Sequence, residues 1–87
     1  MKIIKIGALW CPGCLILNNN LKKIKENYKD IEIIEYDYDF DLEVKKFKVG
    51  NILPVLIFMN DDNEISRLIG EKSYKEIINE IERISNV

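Results

Sequence analysis

An α/β fold is predicted: one four-stranded mixed sheet in the order β-α-β-α-β-β-α, with helices covering both faces. Three observations carry this reading. Strand-length apolar runs recur near residues 2–7, 31–37, 55–59 and 64–69. Helix-period apolar spacing fills the stretch after the first run and the stretch after the last. A helix-length connection joins the first two runs, whereas a four-residue polar turn joins the last two.

Lys2-Ile3-Ile4-Lys5-Ile6-Gly7 reads as a short buried strand. Cys14, Leu17, Leu21, Ile24 and Tyr28 then follow the i, i+3, i+7 rhythm of one helix face. Residues 31–37 (Ile-Glu-Ile-Ile-Glu-Tyr-Asp) form a second strand, which a right-handed crossover makes parallel to the first. A short helix is expected from about Asp41 to Lys48, with Leu42, Val44 and Phe47 turned inward. Pro54 opens the most apolar strand, Val55–Met59, at a position that need not donate to a ladder. Asn60-Asp61-Asp62-Asn63 turns that strand into an antiparallel partner, Glu64–Ile69, which Gly70 ends. Ser73, with Glu76 three residues on, has the pattern of a capping box. It starts a last helix whose Tyr74, Ile77, Ile78, Ile81 and Ile84 share one face.

Eighty-seven residues suffice for one domain, 1–87, with a single core. A net charge of −2 offers no general attraction to nucleic acid or to an anionic membrane surface. The longest apolar stretch, Ile52 to Met59, has strand length and cannot span a bilayer. The N-terminal run carries a lysine inside it and no small-residue cleavage pattern, so no signal peptide is read and a cytoplasmic location is expected.

The two cysteines of the chain stand in Trp10-Cys11-Pro12-Gly13-Cys14, between the first strand and the first helix. So short a loop removes little entropy from the unfolded chain, so a structural staple is a poor explanation. A dithiol that opens and closes a disulfide is the better one. Half of a zinc site is the competing reading. With no histidine and no third cysteine, closed tetrahedral ligation would need a second chain or carboxylates.

This element order, with Trp-Cys-x-x-Cys, a later Leu53-Pro54 and a glycine after the hairpin (Gly70), resembles the thioredoxin superfamily over essentially the whole chain. Trp10 looks like thioredoxin, while the short length and the start at the first core strand look like glutaredoxin. Pro12-Gly13 inverts the Gly-Pro usual in thioredoxins. The resemblance implies a thioredoxin-like fold and protein-disulfide reduction, with no bound cofactor beyond a Cys11–Cys14 disulfide. It also implies protein disulfides as substrates, a flavoprotein thioredoxin reductase as electron donor, and action as a monomer. Leu53–Pro54 is implied to be a cis peptide facing the cysteines, with Trp10, Ile52, Leu53 and Gly70 as an apolar rim. Pro54 as a plain edge-strand proline, Trp10 as a core aromatic and Gly70 as a strand terminator are the blander alternatives.

The chemistry assigns the two sulfurs different work. Cys11 falls where a helix N-cap belongs, with Pro12 at the favoured first helical position, so the helix's positive end faces its sulfur. Cys14, one turn in beside Leu17, is expected to be less exposed and to hold its proton longer. Cys11 is then the nucleophile and Cys14 the resolving thiol. Gly13 lets a substrate backbone approach. Many thioredoxins carry a buried aspartate six residues before the first cysteine, where this chain has Lys5. Lys5 beneath the motif would favour thiolates; the favoured expectation is that its ammonium snorkels to solvent.

Glutathione-dependent action and a non-catalytic metal-handling dithiol remain as alternatives. Tyr36-Asp37-Tyr38-Asp39-Phe40-Asp41 ends the second strand at the motif's edge of the sheet, where three carboxylates repel an anionic thiol. Asp39 or Asp41 is expected to cap the short helix there. Glu71-Lys72-Ser73 after Gly70 does not match the glutathione-binding turn usual in glutaredoxins.

Overall fold

The computed structural model describes residues 1–9 and 11–85. Four strands, β1 (Lys2–Gly7), β2 (Glu32–Asp37), β3 (Val55–Asn60) and β4 (Asn63–Ile69), form one sheet in the order β2-β1-β3-β4. The first two are parallel, Lys5 standing opposite Glu35, and the other two pairings are antiparallel. Helices α1 (Pro12–Asn27) and α2 (Tyr74–Ser85) join a 3₁₀ helix at Leu42–Phe47.

The alternation of side chains along a strand divides the core in two. Ile3, Leu56 and Phe58 point to the face covered by both α-helices, where Leu17, Leu21, Ile24, Ile77, Ile81 and Ile84 meet them. Ile4, Ile6, Val55 and Ile57 point the other way, under Val44. β1 and β3 are therefore buried on both sides, which explains their nearly unbroken apolar runs. Both long helices lie on one face, and the 3₁₀ segment with its flanking loop covers the other.

That segment is where the sequence reading needs correction. Its helix is 3₁₀ and not α, and Leu42, expected inward, is 77% exposed, while Val44 is buried and Phe47 half-buried. Six residues of 3₁₀ turn with three residues per turn bring Val44 and Phe47 to one side and leave Leu42 off it. Asp41 is the N-cap residue, yet its carboxylate accepts from the Asp37 backbone N–H at 2.6 Å and gives the helix no side-chain cap.

The other boundaries follow the sequence closely. Ser73 and Glu76 form the capping box: the Glu76 N–H donates to Ser73 Oγ at 3.2 Å, and the Ser73 N–H donates to Glu76 Oε1 at 3.5 Å. The hairpin turns through Asp61, which adopts positive φ (56°). Ile65 is an extra residue in β4, since Phe58 pairs with Ser66 and Met59 with Glu64.

Candidate active site

The first helical turn is built as its residue types require. Cys11 is the N-cap in extended backbone (φ −99°, ψ 108°) and Pro12 begins the helix. Proline loses nothing there, because the first N–H groups of a helix have no intrahelical acceptor. The Cys11 N–H donates to the Ala8 carbonyl and the Cys14 N–H to the Cys11 carbonyl, both at 3.2 Å. The loop from β1 is thereby tied to the helix start.

Both sulfurs are free thiols, hydrogen-bonded to each other through their side chains. Their exposures differ little, 6% for Cys11 and 3% for Cys14, so burial alone does not separate attacker from resolver. The proton on Cys14 is held firmly. Burial first, and then the hydrogen bond with Cys11, push its thiol up to about 11, against a backbone hydrogen bond from Ala8 and the Lys5 charge, which pull it down.

Beneath Cys14 the strand leaves room only because it ends in glycine. A Cβ on Gly7 would lie 3.0 Å from Cys14 Sγ and 3.4 Å from Lys5 Cε. Lys5 is thus beside the motif's floor and not in solvent. It is 6% exposed, its Nζ donates to Asn18 Oδ1, and Glu35 Oε1 stands 3.8 Å away. The expected snorkelling is overturned for a simple reason. Lys5 shares strand parity with Ile3, so it faces α1, where Asn18 and Glu35 supply polar partners within reach and the ammonium stays with them.

The rest of the predicted site gathers on the other side of the turn. The Leu53–Pro54 peptide is cis, and Pro54 is buried. A Cβ on Gly13 would meet Pro54 Cδ at 3.5 Å and Glu71 Cβ at 3.6 Å. The Gly70 N–H donates to the Pro54 carbonyl at 2.8 Å, and a Cβ on Gly70 would lie 3.8 Å from Ile52. Gly70 itself has φ +90°, a conformation side chains resist. Pro12 and Ile52 are exposed and Leu53 is half-buried. Gly13, Pro54, Gly70 and Ile52 therefore form a continuous chain of neighbours. Trp10, assigned to the same rim, lies outside the described residues.

Three neighbours escaped the sequence reading. Glu71 had no signal, since it lies in a loop. Asn18 had one, being four residues after Cys14 and hence above it on the same helix face. Glu35 had one too, because a parallel pairing in register sets it beside Lys5. The acidic turn is bound up in its own hydrogen bonds: the Asp37 carboxylate accepts from the Asp39 and Phe40 N–H groups at 2.8 and 3.1 Å. Among the described residues, no group of three or more His, Cys, Asp or Glu is placed to hold a metal ion. No described helix is long and apolar enough to cross a membrane.

A four-stranded mixed sheet with a dithiol at the start of its first long helix defines a thioredoxin-fold protein. The thioredoxin family model matches residues 1–83, and the chain belongs to that family. A thioredoxin-like protein CXXS1 of Arabidopsis thaliana is 30% identical over 63 residues, covering 72% of this chain and 53% of the relative. Thioredoxin-2 of Saccharomyces cerevisiae is 26% identical over 68 residues, covering 78% of this chain and 65% of the relative. The chain thus spans between half and two thirds of the length of these curated relatives. A malaria parasite thioredoxin-2, described as a component of the protein secretion machinery, superposes with a TM-score of 0.86. That match covers 94% of this chain and 81% of the other at 23% identity, and it supports the fold.

Proposed function

We propose that this chain is a thiol–disulfide oxidoreductase that reduces protein disulfides, with Cys11 as nucleophile and Cys14 as resolving thiol. The observation that carries the reading is the asymmetry of one helical turn. Cys11 caps a helix N-terminus, where the dipole favours a thiolate, and Cys14 lies behind it with its proton held by burial.

The Cys11 thiolate attacks one sulfur of the substrate disulfide, and the other substrate sulfur leaves as a thiolate that takes a proton from solvent. Cys14 then loses its proton and attacks Cys11 Sγ; a Cys11–Cys14 bond forms as the mixed disulfide breaks. The substrate gains two electrons and the protein loses two. A flavoprotein thioredoxin reductase is the donor that restores the dithiol in this reading, and the substrate backbone lies along Leu53 and Pro54, with Ile52, Gly70 and Trp10 at the rim. Residues 1–87 act as one domain, as a monomer, in the cytoplasm. The carboxylates of Asp37 and Asp41 beside the motif weigh against glutathione as the donor.

The test is covalent capture. Cys14→Ser is expected to accumulate mixed disulfides with substrate proteins, separable on non-reducing gels, and Cys11→Ser to form none. Equal capture by both variants, or by neither, would remove the assigned roles.

A further inference from the structure

Lys5 is a buried cation that the two-step exchange above does not use. It stands at the base of a cavity of ≈ 320 Å³ lined by Gly7, Ala8, Cys14, Asn18 and Glu35 and reached from solvent past Leu9, Leu15 and Asp41. A lysine buried this far is costly unless its charge is held and used. Here it is held on two sides, by the Asn18 amide oxygen and by the Glu35 carboxylate, which is itself 61% exposed. On the third side, across the missing side chain of Gly7, lies Cys14 Sγ.

We propose that Lys5 is a positioning residue for the resolving step: its ammonium, fixed by Asn18 and Glu35, stabilises the thiolate that Cys14 becomes before it attacks the mixed disulfide. Glu35 sets how much of that charge Cys14 feels. The inference rests on the dithiol reading and deepens it. When Cys14 ionises, its proton leaves to solvent through the cavity, and the new negative charge forms beside Lys5. The Cys14–Cys11 bond then forms, the Cys11–substrate bond breaks, and the electron pair departs on the substrate sulfur, which takes up a proton outside.

The charges around this point favour such a role. From β2 come Glu35 and Asp37, from the following turn Asp41, and from the helix N-cap the Cys11 thiol bonded to Cys14, while β3 offers the apolar Leu56 opposite Lys5. Lys22 and Lys25 border a separate cleft on the other side of Glu35. Lys5 is therefore the one cation among the described residues lining the cavity at Cys14, in a ring otherwise neutral or acidic. Its pull on the Cys14 thiol opposes what burial does there.

The test titrates Cys14 alone, in a Cys11→Ser background, by thiolate ultraviolet absorbance. Lys5→Met should move the Cys14 titration up by about one pH unit, and Glu35→Gln should move it down, because the carboxylate that offsets Lys5 is gone. In the two-cysteine protein, the second thionitrobenzoate released from dithionitrobenzoate reports resolution. Lys5→Met should slow that phase about tenfold below the Cys14 titration and converge with wild type above it. An unmoved titration in folded Lys5→Met, or shifts of one sign in both variants, overturns the proposal. Should Lys5→Met fail to fold, Glu35→Gln decides at a surface position: a lowered titration supports the role, and an unchanged or raised one removes it. The titrations need no turnover, so protein-disulfide reduction can fail with the Lys5 effect intact, and the reverse.

Discussion

Cys11 and Cys14 lie one helical turn apart and still meet different surroundings, which is what a two-step exchange needs. Cys11 is the N-cap of α1, at the positive end of the helix dipole, though its side chain makes no cap hydrogen bond; at Cys14 the sulfur sits against β1, beside Gly7 and Lys5. The placement of the two sulfurs was legible in the sequence because Cys-Pro-x-Cys at a strand end fixes both the cap and the turn. The fate of Lys5 was not. Its charge argued for solvent and its strand parity with Ile3 argued for burial; only the placement of Asn18 and Glu35 decides between them. Glycine carries a second residue-level constraint. Gly70 holds φ +90° while its N–H reaches the Pro54 carbonyl. Gly70→Ala is expected to cost about 1–2 kcal/mol of stability from backbone strain, read by urea unfolding. The added methyl meets Ile52 at an ordinary 3.8 Å, so crowding adds little.

Among the elements, α2 is held by the capping box at its N-terminus and by a polar bridge to the sheet. The capping box at Ser73 was visible as a four-residue pattern, and the structure forms both of its bonds. The bridge to the sheet was invisible, because nothing local says that Ser66 on β4 lies under Glu80. Arg83 donates to Glu80 Oε1 at 2.7 Å, and Ser66 Oγ donates to Glu80 Oε2. Arg83, first, and Ser66 hold the Glu80 carboxyl down at about 2, below its ordinary 4.5. A carboxylate with a lowered folded-state pKa stabilises the fold above its unfolded value and loses that effect as acid protonates it. Wild type is therefore expected to exceed Glu80→Gln in stability above about pH 4.5, with the gap closing as pH falls toward 2. Denaturant unfolding across that range checks it; a gap independent of pH would place the effect in packing. The 3₁₀ segment shows the opposite limit of legibility. Its apolar residues were evident, but a six-residue stretch cannot show from spacing alone whether three or 3.6 residues make a turn.

At the scale of the molecule, the sense of two pairings was recoverable because connection lengths decide it. A helix-length link forces β1 and β2 parallel and a tight turn forces β3 and β4 antiparallel, whereas the seat of β3 on the free edge of β1 is seen only in the structure. The division of the core into two clusters follows from the parity of β1 and β3. Phe58 is the largest fully buried side chain among the described residues, at 0% exposure, in the cluster that seats both α1 and α2. Phe58→Ala is expected to lower stability by about 3–5 kcal/mol, measured by chemical denaturation, with loss of activity following the unfolded fraction. What the whole architecture delivers is a turn that holds one sulfur at a helix start and the other over a polar cavity. The most direct measurement of that claim is dithiothreitol-driven reduction of insulin, comparing wild type with Cys11→Ser. Strong acceleration by wild type that disappears in Cys11→Ser is the expected result. Reduction no faster than dithiothreitol alone, or undiminished in Cys11→Ser, would contradict it.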